Sequence, residues 1–406
     1  MKISQRACLI PESPIRKLAQ LEETAKNKGI KVYHLNIGEP DLLPPPAVFD
    51  FLHNYKNTTI GYSHSQGEKE FLKSLVNYYQ KLGFKDLKEN NFIATLGGSE
   101  AILWAMITVA NPNEEILTFE PFYTNFQSLA IMAGVKLIPI ETKIDNGFHL
   151  PDDEEIIKKI NAKTKAILIC NPNNPTGTVY TQSELIRLWQ ICQKNDLFLL
   201  SDEVYREFVY DDNQAISALT IEQKYSADLT KSKVIILDSF SKRFSLCGAR
   251  VGLACSRNPK IMEIMLRYGQ ARLSAVSFNQ LMVAKTIIDS ENYLNKTLEE
   301  FTYRRELLID SLTKIPGVVF QKPEGAFYVI AKLPVKDSEA FCRWLLTDFN
   351  DNKETIMLAP ANGFYLSPDS GKEEVRFAYV LKTDDLKRAM QILAKAITVW
   401  QKENNL

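Results

Sequence analysis

The stretch "KAILICNPNNPTGTVYTQSELIRLWQICQKNDLFLLSDEVY", residues 165–205, sets two apolar runs on either side of one amphipathic segment. "KAILIC" (165–170) and "DLFLLSDE" (196–203) lack polar alternation, as strands do when both of their faces are covered. Between them "TQSELIRLWQICQKN" (181–195) carries apolar residues at helical spacing, with Thr181 as its N-cap. Strand, helix, strand in this order predicts a parallel unit.

The same alternation continues outward in both directions. "NFIATL" (91–96) reads as a strand that Gly97 and Gly98 turn into the helix "SEAILWAMITVA" (99–110). "EEILTFE" (114–120), "VKLIPIE" (135–141) and "KVIILDSF" (233–240) are further strand candidates. The fold class is therefore α/β, with a large domain built on a mostly parallel sheet flanked by helices. After residue 296 the pattern changes. "GVVFQKPEGAFYVIAKLP" (317–334) predicts two strands around a turn, "DSEAFCRWLLTDF" (337–349) a helix, "EEVRFAYV" (373–380) a strand and "TDDLKRAMQILAKAITVWQKEN" (383–404) a long helix. That mixture predicts a smaller α+β domain. The expected division is an N-terminal segment 1–45 joining the small domain, a large domain 46–295 and the small domain 296–406.

Composition narrows the function classes. Hydrophobic residues make up 45% and charged residues 24% of the 406, the balance of an ordinary globular enzyme. Lys plus Arg and Asp plus Glu are equal at 49 each, with no basic run to follow a phosphate backbone, so nucleic acid is not an expected partner. No segment reaches the roughly 20 apolar residues that span a bilayer, and the N-terminus lacks the apolar core of a signal peptide. The expectation is a cytoplasmic protein without a membrane partner. The six cysteines are scattered without a CxxC pair, so neither a metal site nor a disulfide framework is expected.

In an α/β sheet, ligands bind beyond the carboxyl ends of the strands. Gly98 and Ser99 follow the first strand and open a helix, whose N–H groups form an anion site. Tyr123 follows "EEILTFE", Asn174 lies in "NPNNPTG", and Asp202 and Tyr205 lie in "DEVY". Ser239, Ser241, Lys242 and Arg250 follow the strand "KVIIL". Singly, each has a plainer reading as a turn, a cap or a solvated charge; together at strand ends they form a set.

"SFSKRFSLCGARVG" (239–252) resembles the S-x-S-K-x-x-x-x-x-G-x-R signature of class I/II pyridoxal-phosphate aminotransferases of fold type I. "NPNNPTG", "DEVY", "LNIGEPD" (35–41), the tyrosine-and-glycine segment "GYSHSQGEKEF" (61–71) and "EVRFAY" (374–379) resemble further motifs of that family, in its order. The resemblance implies the cofactor pyridoxal 5′-phosphate and the following roles. Lys242 would hold the cofactor aldehyde covalently and carry the proton in catalysis. Asp202 would pair with the pyridine nitrogen, Tyr205 and Asn174 would face the phenolic oxygen, and Tyr123 would stack on the ring. Arg250, Ser239, Ser241, Gly98 and Ser99 would hold the phosphate. Arg243, Arg250 and a partly dry pocket are expected to ease deprotonation of Lys242. Arg376 would bind the substrate α-carboxylate, with the Gly38 backbone closing over it. Tyr62 would reach the phosphate in a neighbouring subunit, which implies a homodimer with shared active sites. Arg272 lies near the segment where dicarboxylate-specific relatives hold a second cation, and it could equally serve a surface or an interface. The implied reaction is ping-pong transfer of the amino group of an L-amino acid, first aspartate, to a 2-oxo acid such as 2-oxoglutarate. Aromatic amino acids or alanine as donors, carbon–sulfur β-lyase chemistry and a non-catalytic cofactor-binding regulator are the alternatives.

Overall fold

The computed structural model describes residues 3–56, 59, 61–288 and 290–405. In chain order its strands are β1 (Lys31–His34), β2 (Phe92–Thr95), β3 (Glu115–Glu120), β4 (Lys136–Glu141), β5 (Thr164–Cys170), β6 (Phe198–Asp202), β7 (Val234–Ser239) and β8 (Gly252–Cys255). The later strands are β9 (Val319–Phe320), β10 (Tyr328–Lys332), β11 (Glu354–Met357), β12 (Ala359–Pro360) and β13 (Glu374–Ala378).

Seven strands form the main sheet in the order β2-β8-β7-β6-β5-β3-β4. All of its pairings are parallel except those of β8, which runs antiparallel to both β2 and β7. The unalternated apolar runs have their explanation in two clusters on opposite faces. Ala166, Leu168 and Cys170 of β5, with Leu200 and Ile235, pack into one core, whereas Ile167, Ile169, Leu199 and Ile236 pack into the other. Both pleats of each central strand are buried, at about 25 cal/mol per Å² of apolar surface removed from water. The helix Gln182–Lys194 starts as the sequence predicts: the Thr181 hydroxyl accepts the Glu184 N–H, and the Glu184 carboxylate returns to the Thr181 N–H.

The later strands form a second, antiparallel sheet in the order β12-β13-β10-β9, with Ile330 opposite Arg376. The terminal helix occupies Thr383–Asn404, and the helix Glu291–Thr313 packs along it. A parallel pair, β1 with β11, joins the N-terminal segment to the chain beyond residue 350. Phe301, Phe327, Phe341 and Phe377 extend the first cluster into this region, so one apolar core runs from the main sheet to the second sheet. Among the described residues no helix is long and apolar enough to cross a membrane.

Candidate active site

The carboxyl ends of β2, β3, β5, β6 and β7 open on one side of the main sheet. There a cavity of about 100 Å³ is lined by Gly98, Ser99, Tyr123, Asn174, Asp202, Tyr205, Ser239, Ser241, Lys242 and Arg250. It shares Lys242, Tyr123, Asn174 and Arg250 with a larger cleft of about 550 Å³, whose walls add Gly38, Tyr328 and Arg376.

One end of the cavity is built to hold an anion. Gly97 sits at φ +80° and caps the helix Gly98–Val109, and a Cβ on it would lie 2.5 Å from Arg250 Nη2. The absent side chain is what lets the guanidinium lie against the helix N-terminus. Arg250 itself is left-handed (φ +54°) and is braced by the carbonyls of Cys247 (2.9 Å) and Leu96 (3.3 Å). Beside it the Ser239 and Ser241 hydroxyls lie 2.9 Å apart.

The same cavity holds a buried carboxylate. Asp202, the last residue of β6, accepts the Val204 N–H at 3.3 Å and forms no ion pair among the described residues. Burial pushes its carboxyl up to about 7; the Val204 N–H opposes that shift, while the charges of Asp238 and Glu203 reinforce it. A buried carboxylate lacking a cation is the partner a protonated ring nitrogen requires.

Lys242 lines both this cavity and the larger cleft. Its ammonium donates to the Gly38 carbonyl at 2.7 Å and lies 3.6 Å from Cys247 Sγ. The expected depression of this lysine does not occur. Burial lowers its pKa, but Tyr328, Cys247 and Tyr123 outweigh burial and raise it. Arg243 contributes little because its guanidinium turns away into a fully buried ion pair with Asp238, which Arg206 also joins at 2.7 Å. Gly38 is required sterically: a Cβ there would fall 1.8 Å from the Tyr328 hydroxyl oxygen.

Arg376, 1% exposed, lies on β13 between the rings of Tyr328 (4.5 Å) and Phe364 (5.0 Å). It donates to Asn174 Oδ1 at 3.0 Å and to the Asn36 carbonyl, and its Nε has no partner among the described residues. Asn174 in turn donates to the Tyr205 hydroxyl at 3.3 Å, and Tyr205 meets the Tyr328 hydroxyl at 3.0 Å. Burial lowers the Arg376 pKa, and among the described residues no carboxylate pairs with it. A buried guanidinium at a cleft wall has the charge and the donor geometry to receive a carboxylate.

Two residues of the expected set lie outside this assembly. Arg272, at the end of the helix Pro259–Arg272, is engaged by Glu100 and by the carbonyls of Ala94 (3.1 Å) and Ser65 (3.3 Å), and it stacks 4.8 Å over Trp104. Its guanidinium fastens the turn before the helix Gly98–Val109 and lines neither the cavity nor the cleft. Tyr62 is 84% exposed and likewise lines neither within its own chain. Two residues that the sequence reading passed over do belong to the site. Cys247 lies inside the quoted signature, and Tyr328 follows the turn of "PEGAFYV", where strand alternation would have turned it to one face of β10.

The donor set fits pyridoxal 5′-phosphate: an anion cradle, a buried carboxylate without a cation among the described residues, an amine and the Tyr123 ring line one cavity. The comparisons with known proteins agree. The model of the family "Aminotransferase class I and II" matches residues 30–393. An aspartate aminotransferase of Pyrococcus horikoshii is 28% identical, the match covering 97% of each chain. An aromatic-amino-acid aminotransferase of Thermococcus litoralis is 28% identical over 98% of each chain. The solved alanine aminotransferase of Pyrococcus furiosus superposes with a TM-score of 0.88 at 26% identity, covering 98% of this chain and all of its own. By the family match and the geometry together, this chain belongs to the class I and II aminotransferases and is a pyridoxal-phosphate-dependent transaminase.

Proposed function

We propose that the enzyme takes its amino group from an acidic L-amino acid, aspartate first, and passes it to 2-oxoglutarate. The observation that carries amino transfer is Arg376, buried without a carboxylate partner among the described residues on the same cleft as Lys242. It would bind the α-carboxylate that every amino donor and 2-oxo acceptor carries. The cofactor, when bound, supplies the electron sink that makes the substrate Cα–H acidic. Around it, Asp202 would hold the ring nitrogen protonated, and Tyr205 and Asn174 would donate to the phenolic oxygen. Arg250, Ser239, Ser241 and the N–H groups at Gly98 and Ser99 would neutralise the phosphate. Lys242 would hold the cofactor and then move the proton at Cα. Several relatives of similar identity are named aspartate aminotransferases, which supports the donor named here.

The same reading takes the enzyme to be a cytoplasmic homodimer with chain segments 1–45 and 296–406 forming one domain and 46–295 the other. Support for the dimer comes from exposed apolar side chains. Leu43, Phe49, Leu52, Tyr62, Leu273, Val276 and Ile288 belong to segments that contact one another, and a monomer gains nothing by exposing them. Light scattering checks the assembly.

Chemistry is tested by a half-reaction. Holoenzyme mixed with aspartate alone should release a stoichiometric amount of oxaloacetate and no ammonia, and adding 2-oxoglutarate should make turnover continuous. Release of ammonia and pyruvate from a β-substituted amino acid, with no amino transfer, would indicate a lyase instead.

A further inference from the structure

An acidic donor needs a second cation, and Arg272 is committed to Glu100. The cleft of about 550 Å³ presents four cationic side chains: Arg16, Lys242, Arg250 and Arg376. Lys242 is held by the Gly38 carbonyl, Arg250 lies against the helix N-terminus at the phosphate end, and Arg376 is the α-carboxylate receptor in the reading above. Arg16 remains.

Its backbone is fixed on both sides. Pro14 packs against Gly363, where a Cβ would come within 2.6 Å of the proline. Lys17 pairs with Glu339 at 2.6 Å, and Leu18 is buried in the core. The Ile15 carbonyl accepts from Asn36 Nδ2 at 2.8 Å, and the carbonyl of that same Asn36 accepts from Arg376. One asparagine thus ties the backbone beside Arg16 to the carboxylate receptor. The Arg16 side chain, in contrast, makes no hydrogen bond, ion pair or ring contact among the described residues. Fold stability does not use it.

We infer that Arg16 is the specificity residue for the distal carboxylate of a dicarboxylic substrate, acting in the same cleft as Arg376. This rests on the amino-transfer reading above and deepens it. A guanidinium fork matches a carboxylate, and Glu39, the acidic residue on the cleft wall, is exposed and forms no ion pair among the described residues, so it does not neutralise Arg16. Glu39 is the only like charge that a dicarboxylate would meet on the described cleft walls.

The test compares substrates rather than rates. In Arg16→Ala the ratio of kcat/KM for aspartate to that for alanine should fall about tenfold or more. Arg16→Lys should recover part of that loss. Glu39→Gln, which removes the opposing charge, should raise the ratio. Calorimetry gives a readout independent of turnover: maleate should bind the Arg16→Ala holoenzyme about tenfold more weakly than wild type, with propionate binding little changed. If aspartate and alanine lose equally, or maleate and propionate bind as in wild type, the assignment is overturned. Failure of wild type to transfer the amino group of aspartate would overturn the donor reading instead, and maleate binding would still report on Arg16.

Discussion

Asp202 is the residue whose energetics are most exposed to experiment. Its carboxyl titrates near 7 in the fold against about 3.8 in an unfolded chain. A folded pKa raised above the unfolded one means the native state holds the proton longer. The stability this confers is complete below about pH 4 and is lost as pH rises through 7. The apoprotein should therefore weaken from pH 5 to pH 8, and Asp202→Asn should remove that slope, leaving the variant on the order of 3 kcal/mol more stable than wild type at pH 8. Urea melts at the two pH values measure it. The same substitution should abolish amino transfer, because an amide cannot hold the ring nitrogen protonated. Lys242→Ala should lose transfer as well, and borohydride should no longer fix the cofactor to the chain; retention of either would remove this lysine from its role. Stability gained where function is lost is the expected signature of a carboxylate kept buried for its chemistry.

At the scale of elements, the turn between β2 and the helix Gly98–Val109 must hold its shape for the anion cradle to exist. Arg272 fixes it from outside through Glu100, whose carboxylate also accepts the Leu96 N–H at 2.7 Å. Arg272→Ala should cost about 2–3 kcal/mol, since Glu100 is left part-buried and unpaired. Cofactor affinity should weaken, while aspartate and alanine turn over in their wild-type ratio; a selective loss of aspartate would return Arg272 to the substrate. Gly97→Ala strains a left-handed position and drives a methyl into Arg250, so it should weaken cofactor binding more than it weakens the fold. The strand ends around this turn were legible because buried parallel strands leave long apolar runs, each followed by its own polar group. β8 was not, since "GLAC" is too short to show a period and is held only by its neighbours β2 and β7. The pairing of β1 with β11 joins residues more than 300 apart, and no local pattern encodes it. Tyr328 and Arg16 line the cleft from segments outside the quoted motifs, which is why spacing alone did not find them.

Across the whole molecule, the main sheet and the second sheet meet where residues 321–326 cross the asparagine loop. Gly177, at φ +78°, accepts from the Glu324 and Gly325 N–H groups (2.9 and 2.7 Å), and a Cβ there would strike Pro323. His149 fastens this crossing. Its Nδ1 lies 3.0 Å from Glu184 on the helix beyond the loop, and its Nε2 lies 3.5 Å from Glu324. The hydrogen bonds to Glu184 and then Glu324 raise the imidazole pKa to about 10 against the effect of burial. Burial would raise Glu184, but His149 and Thr181 hold it at about 2. The two signs define a window. The His149 contribution is complete below about pH 6.5 and is lost as pH rises through 10, whereas that of Glu184 is complete above about 4.5 and is lost as pH falls through 2. Stability from this latch should therefore be greatest between about pH 4.5 and 6.5. His149→Gln should cost about 1–2 kcal/mol at pH 6 and progressively less toward pH 10. A double-mutant cycle with Glu324→Gln, run at pH 6 and pH 10, separates the latch from either side chain alone. A coupling energy that disappears at pH 10 would mark His149 as an imidazolium joining the two sheets, and a coupling unchanged by pH would reduce it to a packing residue.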